Sequence, residues 1–135
     1  MVDEFARSAQ DDKVVVLVGG GEQDQELRHQ VAKLGLEKKV IFTGFVGFNE
    51  LPSYLAAADV AVNPMQSSLV SHAAFPNKVI QYLATGLAVA TTRLKGLELT
   101  FGDVPGIRYS ETPEQVMRDA LDMSSSPELN ALGRA

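Results

Sequence analysis

The chain has 135 residues, of which 45% are hydrophobic and 21% charged, a balance suited to one globular domain. Its formal net charge of -5, with no basic block, argues against sequence-independent nucleic-acid binding; the absence of cysteine excludes disulfides and thiolate metal sites. The two histidines stand apart without metal-ligand spacing, no apolar run could span a bilayer, and the amino end lacks signal-peptide order, so a cytoplasmic protein is expected.

Taken in chain order, Val2 to Ala9 reads as a short helix. Val14 to Val18 is a continuous β-branched run, as expected of a strand buried on both faces of a parallel sheet, and Gly19-Gly20-Gly21 breaks it. Leu27, Val31 and Leu34 have helical spacing, and Val40 to Thr43 is the next short strand. Asn49 can cap a helix whose buried stripe is Leu51, Tyr54, Leu55 and Ala58, with Pro52 tolerated in its first turn. Val60-Ala61-Val62 is a strand, followed by a loop from Pro64 to Pro76.

The stretch from Phe75 to Thr91 carries the most information, because it reads loop, helix, glycine stop and buried strand in succession. Pro76 ends the loop, Asn77 is placed to cap, Val79, Ile80 and Leu83 form an apolar stripe, and Gly86 suits the left-handed position after the last turn. The free first-turn amides of such a helix face the carboxyl end of the preceding strand as an anion site, and a phosphate is the expected guest. Ala88 to Thr91 is the next strand, and a glycine-rich connection leads to Ile107 to Tyr109. Thr112-Pro113-Glu114-Gln115 is a capping-box start, and Ser124-Ser125-Ser126-Pro127 separates that helix from a short final one. Strands and helices alternating at these lengths predict a doubly wound α/β (Rossmann-like) parallel sheet, whose ligands bind beyond the carboxyl ends of the strands.

Phe75-Pro76-Asn77-Lys78, Tyr82-Leu83-Ala84 and Gly86 closely resemble the nucleotide-sugar-binding segment of GT-B-fold glycosyltransferases, in particular the retaining family 4 enzymes (glycosyl transferases group 1). Val14 to Gly21, Val40 to Val46, Leu51 to Pro64 with its Leu55-Ala56-Ala57-Ala58-Asp59-Val60, Lys95-Gly96-Leu97-Glu98-Leu99 and the tail Pro127 to Ala135 resemble further family segments in the same order. The resemblance implies the C-terminal, donor-binding half of a GT-B fold. In the family that half opens with a central strand carrying a basic pair, whereas this chain starts at what looks like the following helix. A truncated domain lacking its first strand and the acceptor-binding half is therefore expected, with the missing half, or another copy through the open sheet, as its protein partner.

The same resemblance implies a donor site with no cofactor and no metal, the nucleoside-diphosphate sugar being a substrate. Gly20, in the first glycine turn, would let backbone approach the donor, though three glycines after a strand also simply make a tight turn. Gly44, Phe45 and Val46 would lie beside the nucleobase, the alternative being that Phe45 only covers the sheet end. Ser67, Ser68, Ser71 and His72 sit in the loop that would flank the diphosphate, with hydroxyls and a ring able to hydrogen-bond its oxygens. Asn77 and Lys78 open the helix, where a cation beside free amides adds charge-assisted contacts to phosphate. The family carries two glutamates eight positions apart, one at the transferred sugar and one at the ribose; here those positions hold Ala73 and Gln81. Glutamine can still accept a ribose hydroxyl, but alanine replaces none of the first carboxylate's work. No catalytic side chain is identifiable. A non-catalytic nucleotide-binding or partner-docking domain of the same fold is the competing expectation.

Overall fold

In a computed structural model, residues 1–9, 11–73 and 77–126 are described. Strands and helices alternate as expected, with two helices, α4 and α6, where connections were expected: α1 (Val2–Ser8), β1 (Val15–Val18), α2 (Asp24–Lys33), β2 (Val40–Gly44), α3 (Leu51–Ala57), β3 (Val60–Asn63), α4 (Leu69–Ala73), α5 (Asn77–Ala84), β4 (Ala88–Thr92), α6 (Lys95–Phe101), β5 (Ile107–Ser110) and α7 (Pro113–Ser124). The final helix expected after Pro127 lies outside the described residues.

Every paired strand is parallel, in two separate ladders. β1 pairs with β2, Val15 opposite Val40 and Leu17 opposite Phe42; β4 lies between β3 and β5, with Val89 opposite both Ala61 and Ile107. β1 and β3 share no ladder, so among the described residues each keeps one unpaired edge. This is the arrangement a doubly wound sheet leaves when its central strand is removed.

Apolar packing arranges the helices on the two ladders. On one face of the three-stranded ladder, Ala61 and Val89 meet Val79 of α5, Leu94, and Leu97 of α6, with Leu55 and Ala58 from the α3 end. On the other face the small side chains of Ala88 and Ala90 receive Val116, Ala120 and Met123 of α7. One turn around α7, Met117 and Leu121 enter a second cluster with Val2 and Phe5 of α1, Val31 of α2, and Val15, Leu17, Val40 and Phe42 of the two-stranded ladder. α7 thus joins the ladders through two rows of its own surface. Its start carries the N-cap half of the capping box, Thr112 Oγ1 accepting from the Gln115 amide at 3.2 Å, while the return bond lands one residue early, Gln115 Oε1 accepting from the Glu111 amide at 3.2 Å instead of from Thr112.

α5 ends as its sequence predicts. Gly86 has φ +78°, the Gly86 amide donates to Leu83 O at 3.0 Å, and the Leu87 amide reaches back to Tyr82 O at 3.0 Å. This is the paired bonding of a Schellman stop, which returns the chain directly into β4.

Four expectations need correction. The run from Val14 to Val18 is not buried on both faces: Val15 and Leu17 pack inward, but Val14, Val16 and Val18 are exposed together with Ile41, because no described element covers that side of the two-stranded ladder. α3 buries none of its residues fully, and Tyr54 stays exposed. Its N-cap is Glu50 rather than Asn49, with no capping side-chain bond. In α5, Val79 is fully buried but Ile80 is exposed, so the apolar stripe is narrower than its spacing suggests.

Candidate functional site

The carboxyl ends of the strands lie where β1 gives way to Gly19 to Gly21, β2 to Phe45, β3 to Pro64 and β4 to Arg93. At the first pair of ends the backbone is tightly turned. The Gly19 amide donates to Gly44 O at 2.9 Å, with φ +111° at Gly19 and +68° at Gly44, a conformation that side chains other than glycine disfavour. Thr43 Oγ1 donates to the same Gly44 carbonyl at 2.9 Å. This stitching brings two predicted site residues together: a Cβ on Gly20 would meet Phe45 Cε2 at 3.0 Å. Phe45 is 87% exposed, so beyond Gly20 its ring faces solvent, and Val46 after it is half-buried. Beyond them the Gly47 amide donates to Glu50 Oε2 at 2.9 Å.

Between β3 and β4 the ends are tied by buried polar groups. Asn63 Nδ2 donates to Thr91 Oγ1 at 3.0 Å, with Asn63 nearly and Thr91 wholly buried. Thr92 Oγ1 donates to Met65 O at 2.7 Å and so fixes where the following segment leaves the sheet. That segment is not all loop. The Ser68 hydroxyl accepts from the Ser71 amide at 3.0 Å and the Ser71 hydroxyl accepts from the Ser68 amide at 2.8 Å, a reciprocal cap that starts α4. Ser68 is therefore engaged locally. Ser67 instead faces His72: its Oγ lies 2.9 Å from Nε2, and the Lys95 amide at the start of α6 donates to His72 Nδ1 at 3.1 Å.

Asn77 is the first residue of α5; the residues before it, including Phe75 and Pro76, lie outside the described set, as does any cap they form. Asn77, Lys78 and Gln81 are exposed on α5, and Lys78 has no ion pair among the described residues. Ala73 is the exposed last residue of α4. Gly20 and Phe45 are in contact, and Ser67 is tied through His72 to α6, while Asn77, Lys78 and Gln81 share the exposed side of α5. Among the described residues, no three His, Asp or Glu side chains gather as a metal site.

Two features escaped the sequence reading. α6 was hidden by Gly96, although Leu94, Leu97 and Phe101 have the spacing of a buried helical face and the two leucines are fully buried. Arg93 follows β4 directly, at the carboxyl end of the strand, but its charge is already engaged. Its Nε donates to Glu111 at 2.7 Å, its Nη1 pairs with Glu98, and it lies over the Tyr109 ring at 5.4 Å. The hydrogen bonds it donates to Glu111 and then Glu98 raise the guanidinium pKa still further, and the same bonds brace β4 against α6 and the end of β5.

Comparison with known proteins places this geometry. The family model for glycosyl transferases group 1 matches residues 1–124. A 2-deoxystreptamine N-acetyl-D-glucosaminyltransferase of Streptomyces fradiae is 32% identical over 91 residues, covering 67% of this chain and 20% of that protein. A 2-deoxystreptamine glucosyltransferase of Streptomyces kanamyceticus is 31% identical over 103 residues, covering 76% and 25% respectively. The chain thus spans no more than a quarter of the length of these curated relatives. Among solved structures, Anabaena HepE in complex with UDP and glucose superposes with a TM-score of 0.77 at 21% identity, over 98% of this chain and 37% of that one. HepE with UDP-glucose gives 0.74, also at 21% identity, over 98% of this chain and 38% of that one. At that identity the likeness establishes the fold, which is GT-B. With the family model covering both ladders and every described helix, the chain belongs to the glycosyl transferases group 1 family.

Proposed function

We propose that this chain is the donor-binding half of a retaining glycosyltransferase, which takes a nucleoside-diphosphate sugar and passes the glycosyl group to a saccharide or lipid-linked acceptor. The observation that supports the reading is that the predicted donor residues follow the carboxyl ends of parallel strands: Gly20 and Phe45 are in contact after β1 and β2, Ser67 is exposed after β3, and α5 presents Asn77 and Lys78 before β4. UDP with glucose, and UDP-glucose, are bound by HepE, the protein of the same fold. The Phe45 ring suits a nucleobase, and Lys78 with the first amides of α5 suits a diphosphate. Catalysis is then electrostatic: these donors stabilise charge on the departing diphosphate, with no dissociable metal in the scheme. The acceptor site belongs to the other half of such an enzyme.

A second reading, a non-catalytic domain that binds nucleotide weakly or docks a partner, is favoured by one observation: Ala73 and Gln81 stand where the family carries its two glutamates. Titrating the full-length parent with a panel of nucleoside diphosphates and their sugars separates the two. Tighter binding of one diphosphate sugar than of its diphosphate supports the transferase. Equal binding of sugar and diphosphate forms, or none, supports the second reading.

A further inference from the structure

We propose that His72 is a positioning residue that makes Ser67 a fixed hydrogen-bond donor to a diphosphate oxygen of the bound ligand. The inference deepens the donor-binding reading and rests on it. A backbone amide can only donate, and the Lys95 amide points at His72 Nδ1 from 3.1 Å. Nδ1 therefore holds a lone pair, and in the neutral ring the proton sits on Nε2. Nε2 lies 2.9 Å from Ser67 Oγ, so the ring donates and the serine oxygen accepts.

The consequence falls on the serine. With one lone pair of its oxygen taken by the ring N–H, its own proton turns away from the ring and remains to be donated, and no described residue receives it. Ser67 is exposed at the carboxyl end of β3. Its neighbour Ser68 differs: that hydroxyl both caps α4 and bonds Ser71 Oγ at 3.2 Å. Of the two predicted serines, only Ser67 is left with a proton directed outward, and a diphosphate is an array of acceptor oxygens without donors. His72 itself is held between the segment before α4 and the start of α6, so it sets the direction of Ser67 without touching the ligand.

Two measurements on the 135-residue chain test this. The ring nitrogens of its two histidines can be read by long-range proton–nitrogen correlation NMR, with His72→Gln identifying the His72 signals. The expected pattern for His72 is a protonated Nε2 and an unprotonated Nδ1; a protonated Nδ1 overturns the proposal. Shift-mapped titrations with UDP, GDP and ADP then compare the unmodified chain with Ser67→Ala, His72→Phe and the double variant. For the nucleotide that binds best, each single variant is expected to weaken binding about fivefold, as loss of one hydrogen bond does, and the double variant by no more than either single one. Multiplying losses in the double variant mean that His72 acts apart from Ser67 and defeat the proposal. If the unmodified chain binds and Ser67→Ala binds equally, this role alone fails; if it binds none of the three, the same titrations on the full-length parent decide: no binding there ends the donor-binding reading and this role with it, and binding there that Ser67→Ala leaves unchanged ends this role alone.

Discussion

The Phe45 ring rests on Gly20, its Cε2 at 3.0 Å from where a Cβ would stand, so the turn after β1 and the turn after β2 share one wall. Gly20 does not have the positive φ of Gly19 or Gly44. Its lack of a side chain therefore serves the ring's position, not the backbone's. Because Phe45 is exposed and can swing outward, Gly20→Ala is expected to change stability by no more than about 0.5 kcal/mol while displacing the ring. Nucleotide affinity should fall in step with Phe45→Ala. Urea unfolding beside nucleotide titration checks this: a large stability loss would make Gly20 structural, and unchanged affinity would remove the wall from the site.

Glu4 is nearly buried in α1 and binds three partners: Ser8 at 2.6 Å, Arg7 at 2.8 Å, and Arg118 of α7 at 3.5 Å. The Ser8 hydroxyl first, then Arg7, hold its carboxyl below the ordinary glutamate value. A depressed folded pKa stabilises the fold above the unfolded value, about 4.3, and that contribution is lost as pH falls through the folded pKa. Glu4→Gln should therefore lower the melting temperature at neutral pH. The gap from the unmodified chain should narrow as pH falls below the unfolded value and close once the folded carboxyl is protonated. Thermal melts across pH 2 to 8, a range of about six units around that pKa, measure it; a gap that is flat throughout would show that the charge is irrelevant.

Gln81 is exposed on α5, four residues after Asn77, on the helix proposed to face the donor. In the full-length parent, Gln81→Glu is expected to keep or strengthen nucleotide affinity, since a carboxylate is the stronger acceptor for a ribose hydroxyl. A loss greater than tenfold, about 1.4 kcal/mol, would mean that the ribose lies elsewhere or that the local charge is already too negative.

Much of this was readable from sequence where local chemistry dictates one outcome. The Thr112 N-cap and the Gly86 stop needed only their own neighbours and came out as written, the return bond of the capping box alone shifting to the Glu111 amide. What failed depended on residues distant in the chain. The exposure of Val14, Val16 and Val18 is a fact about what covers a sheet face, and a β-branched run reads alike whether one face or two are covered. The Ser67–His72–Lys95 chain joins positions far apart in sequence through weak local signals, and Gly96 disguised α6 because a glycine inside a helix argues against it until Leu94 and Leu97 are seen buried.

The split between β1 and β3 predicts behaviour in solution. Direct pairing of these strands would have closed the sheet, but they form no ladder, so each presents an unpaired edge among the described residues. Val16 is 46% exposed, Val18 40% and Ile41 46%, on the uncovered side of the two-stranded ladder. An unpaired parallel edge beside an apolar face is a template for another strand, and a second copy of this chain is the partner always present in a purified sample. The 135-residue chain is therefore expected to self-associate with rising concentration. Val16→Glu combined with Ile41→Glu should suppress association without unfolding, since neither side chain belongs to a buried cluster. Sedimentation equilibrium at several loading concentrations reads the outcome. A chain that stays monomeric throughout, with slow amide exchange in both β1 and β3, would show that these edges are protected without a partner and would end the argument for association.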